Sequence, residues 1–406
     1  MDKAAFLNWA RAPRFSNTLS KWNYAESLHA GGPYLTERVA IDIDSLRRFP
    51  FEANAVLVIA DHCGASANVT PRSVLKAQLK RAADLGFDVR AAFEVEMIFL
   101  AETAQSMRDA DYRGLRQFVP DNKCWSGQTA AQEAMFVAEL DDAIRASDIN
   151  LFTVGGEMGP GCFEATLGAT DGLRAADDAA VLRQTVRAFA RQRDMTALFM
   201  PYVGTGYPGL GGHINLSLVD RSTGRNLFSD PAGTTNLLAR RFIAGMSRVV
   251  PDAFAMCAQS VNAYRRLAPG SWAPKSLTWA EWTFTTAIRS VPDDSDNARL
   301  EFRVPAADCN THLALALMIG AGLEGIESEL GVTDPSPDLG PDEIPAGASR
   351  FPSNLGSAAE TLRASGLARK LFGDPFIDNF ADACASEHAS LARAVSRDEF
   401  ARYAEG

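Results

Sequence analysis

"FEVEMIF", residues 93–99, sets two carboxylates into an otherwise apolar run. If 87–100 is one strand, Phe87, Val89, Ala91, Phe93, Val95, Met97 and Phe99 share a face. Asp88, Arg90, Ala92, Glu94 and Glu96 share the other, which places the two glutamates side by side, roughly 7 Å apart. Taken alone, the segment reads as a half-buried strand with a wet outer face. Whether that face meets solvent or a metal ion depends on the rest of the chain.

Two further runs repeat the pattern. In "HINLSL" (213–218), His213, Asn215 and Ser217 alternate with Ile214, Leu216 and Leu218; in "RLEFRV" (299–304), Arg299, Glu301 and Arg303 alternate with Leu300, Phe302 and Val304. Three strands with one apolar face and one dense in Glu, His and Arg predict a curved sheet around a polar cleft. "GGEMGPGCFE" (155–164) adds Glu157 and Glu164 around a Gly-Pro-Gly turn that can bring them together. A loop of solvated acids fits that segment about as well by itself. The glycine-rich "GTGYPGLGGH" (204–213) precedes a strand and lacks the Lys-Ser/Thr of a P-loop, which excludes a Walker-type cradle.

Pooled, Glu94, Glu96, Glu157, Glu164, Glu301 and His213 supply five carboxylates and one imidazole, a hard donor set suited to Mg²⁺ or Mn²⁺. So many carboxylates in one cleft require cations. Arg266, Arg289, Arg299 and Arg303 then fit phosphate oxygens or a substrate carboxylate, although for any single arginine a surface ion pair is the commoner fate.

The bulk properties narrow the setting. A chain of 406 residues predicts two domains, and a net charge of −10 without a basic tract argues against nucleic-acid or anionic-membrane partners. The opening "MDKAAFLNWARAPRF" carries no apolar core of a signal peptide, and six scattered cysteines without a CxxC pair match a reducing compartment, so a cytoplasmic protein is expected. "NVTPRSVLKAQLKRAADLG" (68–86) predicts a helix capped by Thr70, with Pro71 at its first position and Gly86 at its stop. The boundary falls near it: a small β unit over 1–70 and a mixed α/β domain over 71–406. Helical patterns at 130–147, 174–194, 233–249, 311–330, 356–372 and 375–393 alternate with strands, and 331–354 reads as a long surface loop.

Together, "FEVEMIFL", "GGEMGPGCFEATLG", "GLGGHINLSL", "SVNAYRRLAPGSWAP", "RLEFRVPAADCNTHLALALMIGAGLEGIE" and "DEFARYAEG" resemble, in order, the glutamine synthetase family over about 70–406. The resemblance implies an α+β fold: a glutamine synthetase-like catalytic domain with a curved antiparallel sheet and flanking helices, after a shortened β-grasp-like unit. It implies two metal ions, one on Glu96, Glu157 and Glu164 and the other on Glu94, His213 and Glu301. It also implies Arg266 and Arg303 holding glutamate, Gly209 beside its amino end, Ser217 on the nucleotide, and Arg289 and Arg299 at the transferring phosphate. ATP would phosphorylate the γ-carboxylate, and an amine would attack the acyl phosphate, in a ring-shaped homo-oligomer (dodecamer or hexamer).

The departures redirect the reading. Trp272 stands where ammonia-using members carry a glutamate, and an indole lines a pocket for an organic amine better than it binds ammonium. The "PGS-aromatic-AP" form resembles members that act on polyamines and other organic amines. Phe284 stands where the family has arginine, Cys162 where it has glutamine, and Asn215 where it has a second histidine. The expected function is therefore ATP-dependent γ-glutamylation of a polyamine, alkyl or aromatic amine. The alternatives are a non-catalytic relative and, third, an ordinary ammonia-using glutamine synthetase.

Overall fold

The computed structural model describes residues 15–18, 36–119, 123–336, 339, 340, 342–346, 348 and 350–404. The chain starts with a three-stranded antiparallel sheet of β1 (Phe15–Thr18), β2 (Thr36–Arg48) and β3 (Val56–His62), in the order β1-β2-β3. Helix α1 (Pro71–Asp84) follows; Thr70 occupies its N-cap position, but the hydroxyl meets Ser73 Oγ at 2.8 Å instead of capping a helix N–H. Pro71 stands at its first position and Gly86 at φ +85 beyond its end. That left-handed backbone is open to glycine without steric cost, so the chain turns straight into β4 (Phe87–Leu100).

Strand β4 is the centre of a nine-stranded sheet. The others are β5 (Leu151–Gly156), β6 (Cys162–Leu167), β7 (Thr170–Asp171), β8 (Thr196–Leu198), β9 (Gly212–Asp220), β10 (Trp279–Glu281), β11 (Ile288–Val291) and β12 (Arg299–Phe302). The order is β10-β11-β12-β9-β4-β6-β5, with β7 and β8 pairing β4; every pair is antiparallel except β10 with β11. The expected alternation holds. Val89, Ala91, Phe93, Val95, Met97 and Phe99 are buried, while Glu94 and Glu96 are only partly so. Phe99 stacks edge-on against Phe163 of β6 at 5.3 Å and Phe136 at 5.0 Å, which places the apolar face toward the helices and leaves the glutamates on the other.

The helical layer comprises α2 (Ala104–Asp109), α3 (Gly127–Gln132), α4 (Ala134–Ala146), α5 (Gly172–Arg191), α6 (Leu237–Val249), α7 (Thr311–Glu327), α8 (Leu355–Ala364), α9 (Gly366–Phe372), α10 (Asp374–Ala392) and α11 (Arg397–Tyr403). Helix α7 is buried on every side from Thr311 to Gly325, as its nearly unbroken apolar sequence requires. It crosses α6 backbone to backbone: a Cβ on Gly325 would lie 2.0 Å from the Arg241 carbonyl oxygen. The single helix expected over 356–372 is two helices, because Ser365 leaves helical geometry and its side chain caps α9 through Ala368 N–H. Among its described residues, the 331–354 segment forms no helix or strand, as expected. It is more than surface, since Ser336 N–H donates to Trp279 O at 2.7 Å and Phe351 is buried.

Ion pairs join the small sheet to the large domain. Arg47 of β2, fully buried, pairs with Asp178 of α5, also buried. Arg72 of α1 reaches Asp42 at 2.7 Å, Asp61 at 2.8 Å and Asp177 at 2.9 Å, and His312 meets Asp177 at 2.7 Å. Burial pushes Asp177 up, but His312 and Arg72 outweigh it and hold its carboxyl at about 2.

Candidate active site

Strand register brings the polar residues together. Glu94 lies opposite His213 of β9, Glu96 opposite Glu164 of β6, and Asn215 opposite Glu301 of β12, which in turn faces Arg289 of β11. One ligand atom each from Glu94, Glu164 and His213 falls within 4.8 Å of the others. His213 Nδ1 is 3.5 Å from Glu94 and 3.7 Å from Glu301, yet it is buried without a hydrogen-bond partner among the described residues. Its Nε2 lies 3.9 Å from Glu96.

The remaining acids stand close by. Glu157 follows β5, where its backbone N–H donates to Cys162 O at 2.9 Å and its carboxylate accepts from the Cys124 thiol at 3.2 Å. Burial pushes Glu164 up, with Glu94, Glu96 and Glu157 adding to the effect, so its carboxyl stands at about 8. Burial, with Glu96 and Glu157, raises Cys162 to about 12, which keeps that thiol protonated. The tightest convergence thus cuts across the two expected metal sets, taking Glu164 from one and Glu94 and His213 from the other.

Glu301, fully buried, accepts from Arg289 Nη1 at 2.9 Å on one oxygen and from Arg303 on the other. Asn215 bridges Glu94, at 2.8 Å, and Arg299 Nε, at 2.9 Å, so the amide links the acid cluster to a guanidinium. Arg266, expected at the substrate carboxylate, uses Nη1 on Val304 O at 2.8 Å and Nη2 on Arg303 O at 3.3 Å. In this structure it is a strut behind Arg303 as well as a candidate binder. Nε of Arg266, Arg289 and Arg303 is buried with no partner among the described residues.

Gly209 is required by close approach: its N–H donates to Ser271 O at 2.8 Å, and a Cβ there would meet Arg266 Cγ at 2.4 Å. The neighbouring Trp272 is half exposed and held at φ +59. Its loop is pinned by Lys275, whose Nζ donates to Ala268 O at 2.8 Å and meets Asp342 at 3.1 Å. Lys275 is therefore committed to the loop. Ser217 is not brought to the cluster; it lies four residues along β9 from His213, about 13 Å away, opposite Arg90. Sequence reasoning missed Thr166, which donates to Glu164 at 2.8 Å, Cys124, and the Gly211 N–H that donates to Glu96 at 2.5 Å. Only Thr166 carried a signal, two residues from Glu164 on the same face of a strand.

Residues 68–403 match the family model described as glutamine synthetase, catalytic domain. The chain belongs to the glutamine synthetase family. Curated relatives include the glutamate–isopropylamine ligase of a Pseudomonas species, 29% identical over 98% of this chain and 90% of that protein. The γ-glutamylethanolamide synthetase of Streptomyces coelicolor is 29% identical over 89% and 77%, and the glutamine synthetase of Halobacterium salinarum 31% identical over 87% and 78%. A solved glutamine synthase homolog superposes with a TM-score of 0.79 at 25% identity, covering 99% of this chain and 93% of its own. The α+β architecture expected from the sequence is that of this family. No helix among the described residues is long and apolar enough to cross a membrane.

Proposed function

We propose that this protein is an ATP-dependent carbon–nitrogen ligase that joins the γ-carboxylate of glutamate to an organic amine through a γ-glutamyl phosphate. The observation that carries the reading is the pairing of an acid cluster containing His213 Nδ1 with three arginines, where neither that nitrogen nor the three Nε groups has a hydrogen-bond partner among the described residues. The donor set fits Mg²⁺ or Mn²⁺: Glu94, Glu164 and His213 at the centre, with Glu96, Glu157 and Glu301 around them. Bound there, divalent cations supply charge neutralisation for phosphoryl transfer.

The chain's own groups do the rest. Arg289 and Arg299 face the charge that develops on the phosphate, Arg303 and Arg266 orient the acid substrate, and Gly209 leaves room for its amino end. Ser217 takes the nucleotide end of the same strand. Trp272 lines the amine side with an apolar and cation-attracting face, which favours an organic amine over ammonium. The relatives that act on isopropylamine and ethanolamine support this choice. A boundary near residue 70, a cytoplasmic setting and a ring-shaped homo-oligomer belong to the same reading.

ADP release with glutamate, Mn²⁺ and a panel of amines tests it. Turnover with organic amines above that with ammonia is the expected result, and a panel without turnover while metal binds removes the reading. A second reading, a non-catalytic relative that binds nucleotide or amino acid, draws on Glu301, whose two oxygens are already taken by arginines. Nucleotide binding in a calorimeter without ADP release selects it.

A further inference from the structure

Phe284 lies in the turn between β10 and β11, where an arginine is expected from the family resemblance. Its ring sits over the Arg289 guanidinium, with Cζ 4.1 Å from the ring centroid, and the Arg303 Cζ lies 5.4 Å from the same centroid. Both guanidiniums grip Glu301, one on each oxygen. Their side chains are only 15% and 13% exposed, and neither Nε has a hydrogen-bond partner among the described residues. Phe284 is itself half exposed, so it covers the pair from the solvent side.

Two guanidiniums share one carboxylate in a place that water barely reaches. A third guanidinium at position 284 would be pushed against the other two. An aromatic face carries partial negative charge instead, attracts both cations and excludes the water that would compete for their N–H groups. We propose that Phe284 is a positioning residue that fixes Arg289 and Arg303 on Glu301 through cation–π contact, substituting constraint for the charge an arginine would bring. The phosphate end then works with fewer guanidiniums that are oriented before substrate arrives, the condition under which fixed charges stabilise a transition state most. This proposal rests on the ligase reading of the same site.

The test replaces Phe284 by Leu, Tyr and Trp, and by 4-fluoro-, 3,5-difluoro- and pentafluorophenylalanine, which keep the ring's shape while draining charge from its face. Two quantities are measured on the full chain. One is the rate at which an arginine-selective dicarbonyl modifies Arg289, mapped by peptide mass spectrometry; the other is kcat and KM taken separately. Modification of Arg289 is expected to rise about 2- to 30-fold in Phe284→Leu, to climb stepwise with fluorination, and to return toward the original rate with Trp and Tyr. The fall in kcat should follow the same order, with the KM for the amine unchanged. A modification rate that is flat from the native ring through pentafluorophenylalanine and Leu overturns the proposal. Modification that follows the series in a protein without turnover supports the positioning contact and removes only the ligase reading.

Discussion

Glu96 of β4 and Glu164 of β6 are direct cross-strand partners, two like charges placed opposite each other on one face of a sheet. That arrangement opposes folding unless a proton or a cation intervenes. Without metal the proton does so, since Glu164 is raised to about 8.

The pH dependence follows with a definite sign. Between the ordinary carboxylate value of 4.5 and about 8, the folded metal-free protein holds a proton that the unfolded chain has released. Stability of the metal-free protein is therefore expected to fall as pH rises through that window, and Glu164→Gln is expected to restore it at pH 8. Urea unfolding at pH 5, 6.5 and 8 checks this; a Glu164→Gln curve that still loses stability with pH contradicts it. Mn²⁺ must displace the same proton, so its affinity should weaken about tenfold per pH unit below 8, measured by calorimetry.

Trp272 predicts amine selectivity. Trp272→Ala removes the apolar face and is expected to raise the KM for an organic amine about tenfold while leaving ATP binding alone. Trp272→Glu is expected to shift the preference toward ammonia. Ratios of kcat/KM across the amine panel decide, and unchanged ratios in both variants exclude a role in selectivity.

Gly209 is predicted to tolerate no side chain. A methyl group there collides with Arg266 Cγ, so Gly209→Ala must displace the strut behind Arg303. A loss of about 100-fold in kcat/KM for glutamate is expected, with the circular dichroism spectrum retained. A variant of near-native efficiency would mean that the loop yields.

The Arg47–Asp178 pair predicts how the small sheet is held. Asp178→Ala leaves a fully buried guanidinium without its carboxylate, and removing one partner of such a pair costs about 3–5 kcal/mol. Urea denaturation measures it. A loss below about 1 kcal/mol would show that the buried Arg47 guanidinium does not need the acid.

Much of the site was legible because it lies on strands. The period of two places Glu94 with Glu96, and His213 with Asn215, whatever the rest of the chain does. The bounds of β4 match those read from hydrophobic alternation, and Pro71 and Gly86 mark α1 because φ preference is local, while Thr70 holds the N-cap position without a side-chain cap hydrogen bond. The break at Ser365 was missed, since an apolar periodicity continues through it and only the backbone shows the second cap.

Sequence alone settled which side chains share a face, where the helix before the central strand begins and ends, and that the acids outnumber the cations near them. Only tertiary structure decided strand register, which sets Glu164 against Glu96 and His213 against Glu94, and the packing that lays Phe284 over Arg289 and commits Lys275 to its own loop. The physical reason is range. Strand alternation and capping are fixed by neighbouring dihedral angles, whereas cross-strand partners far apart in sequence and the contacts of loop side chains are chosen by how the whole sheet closes on its core.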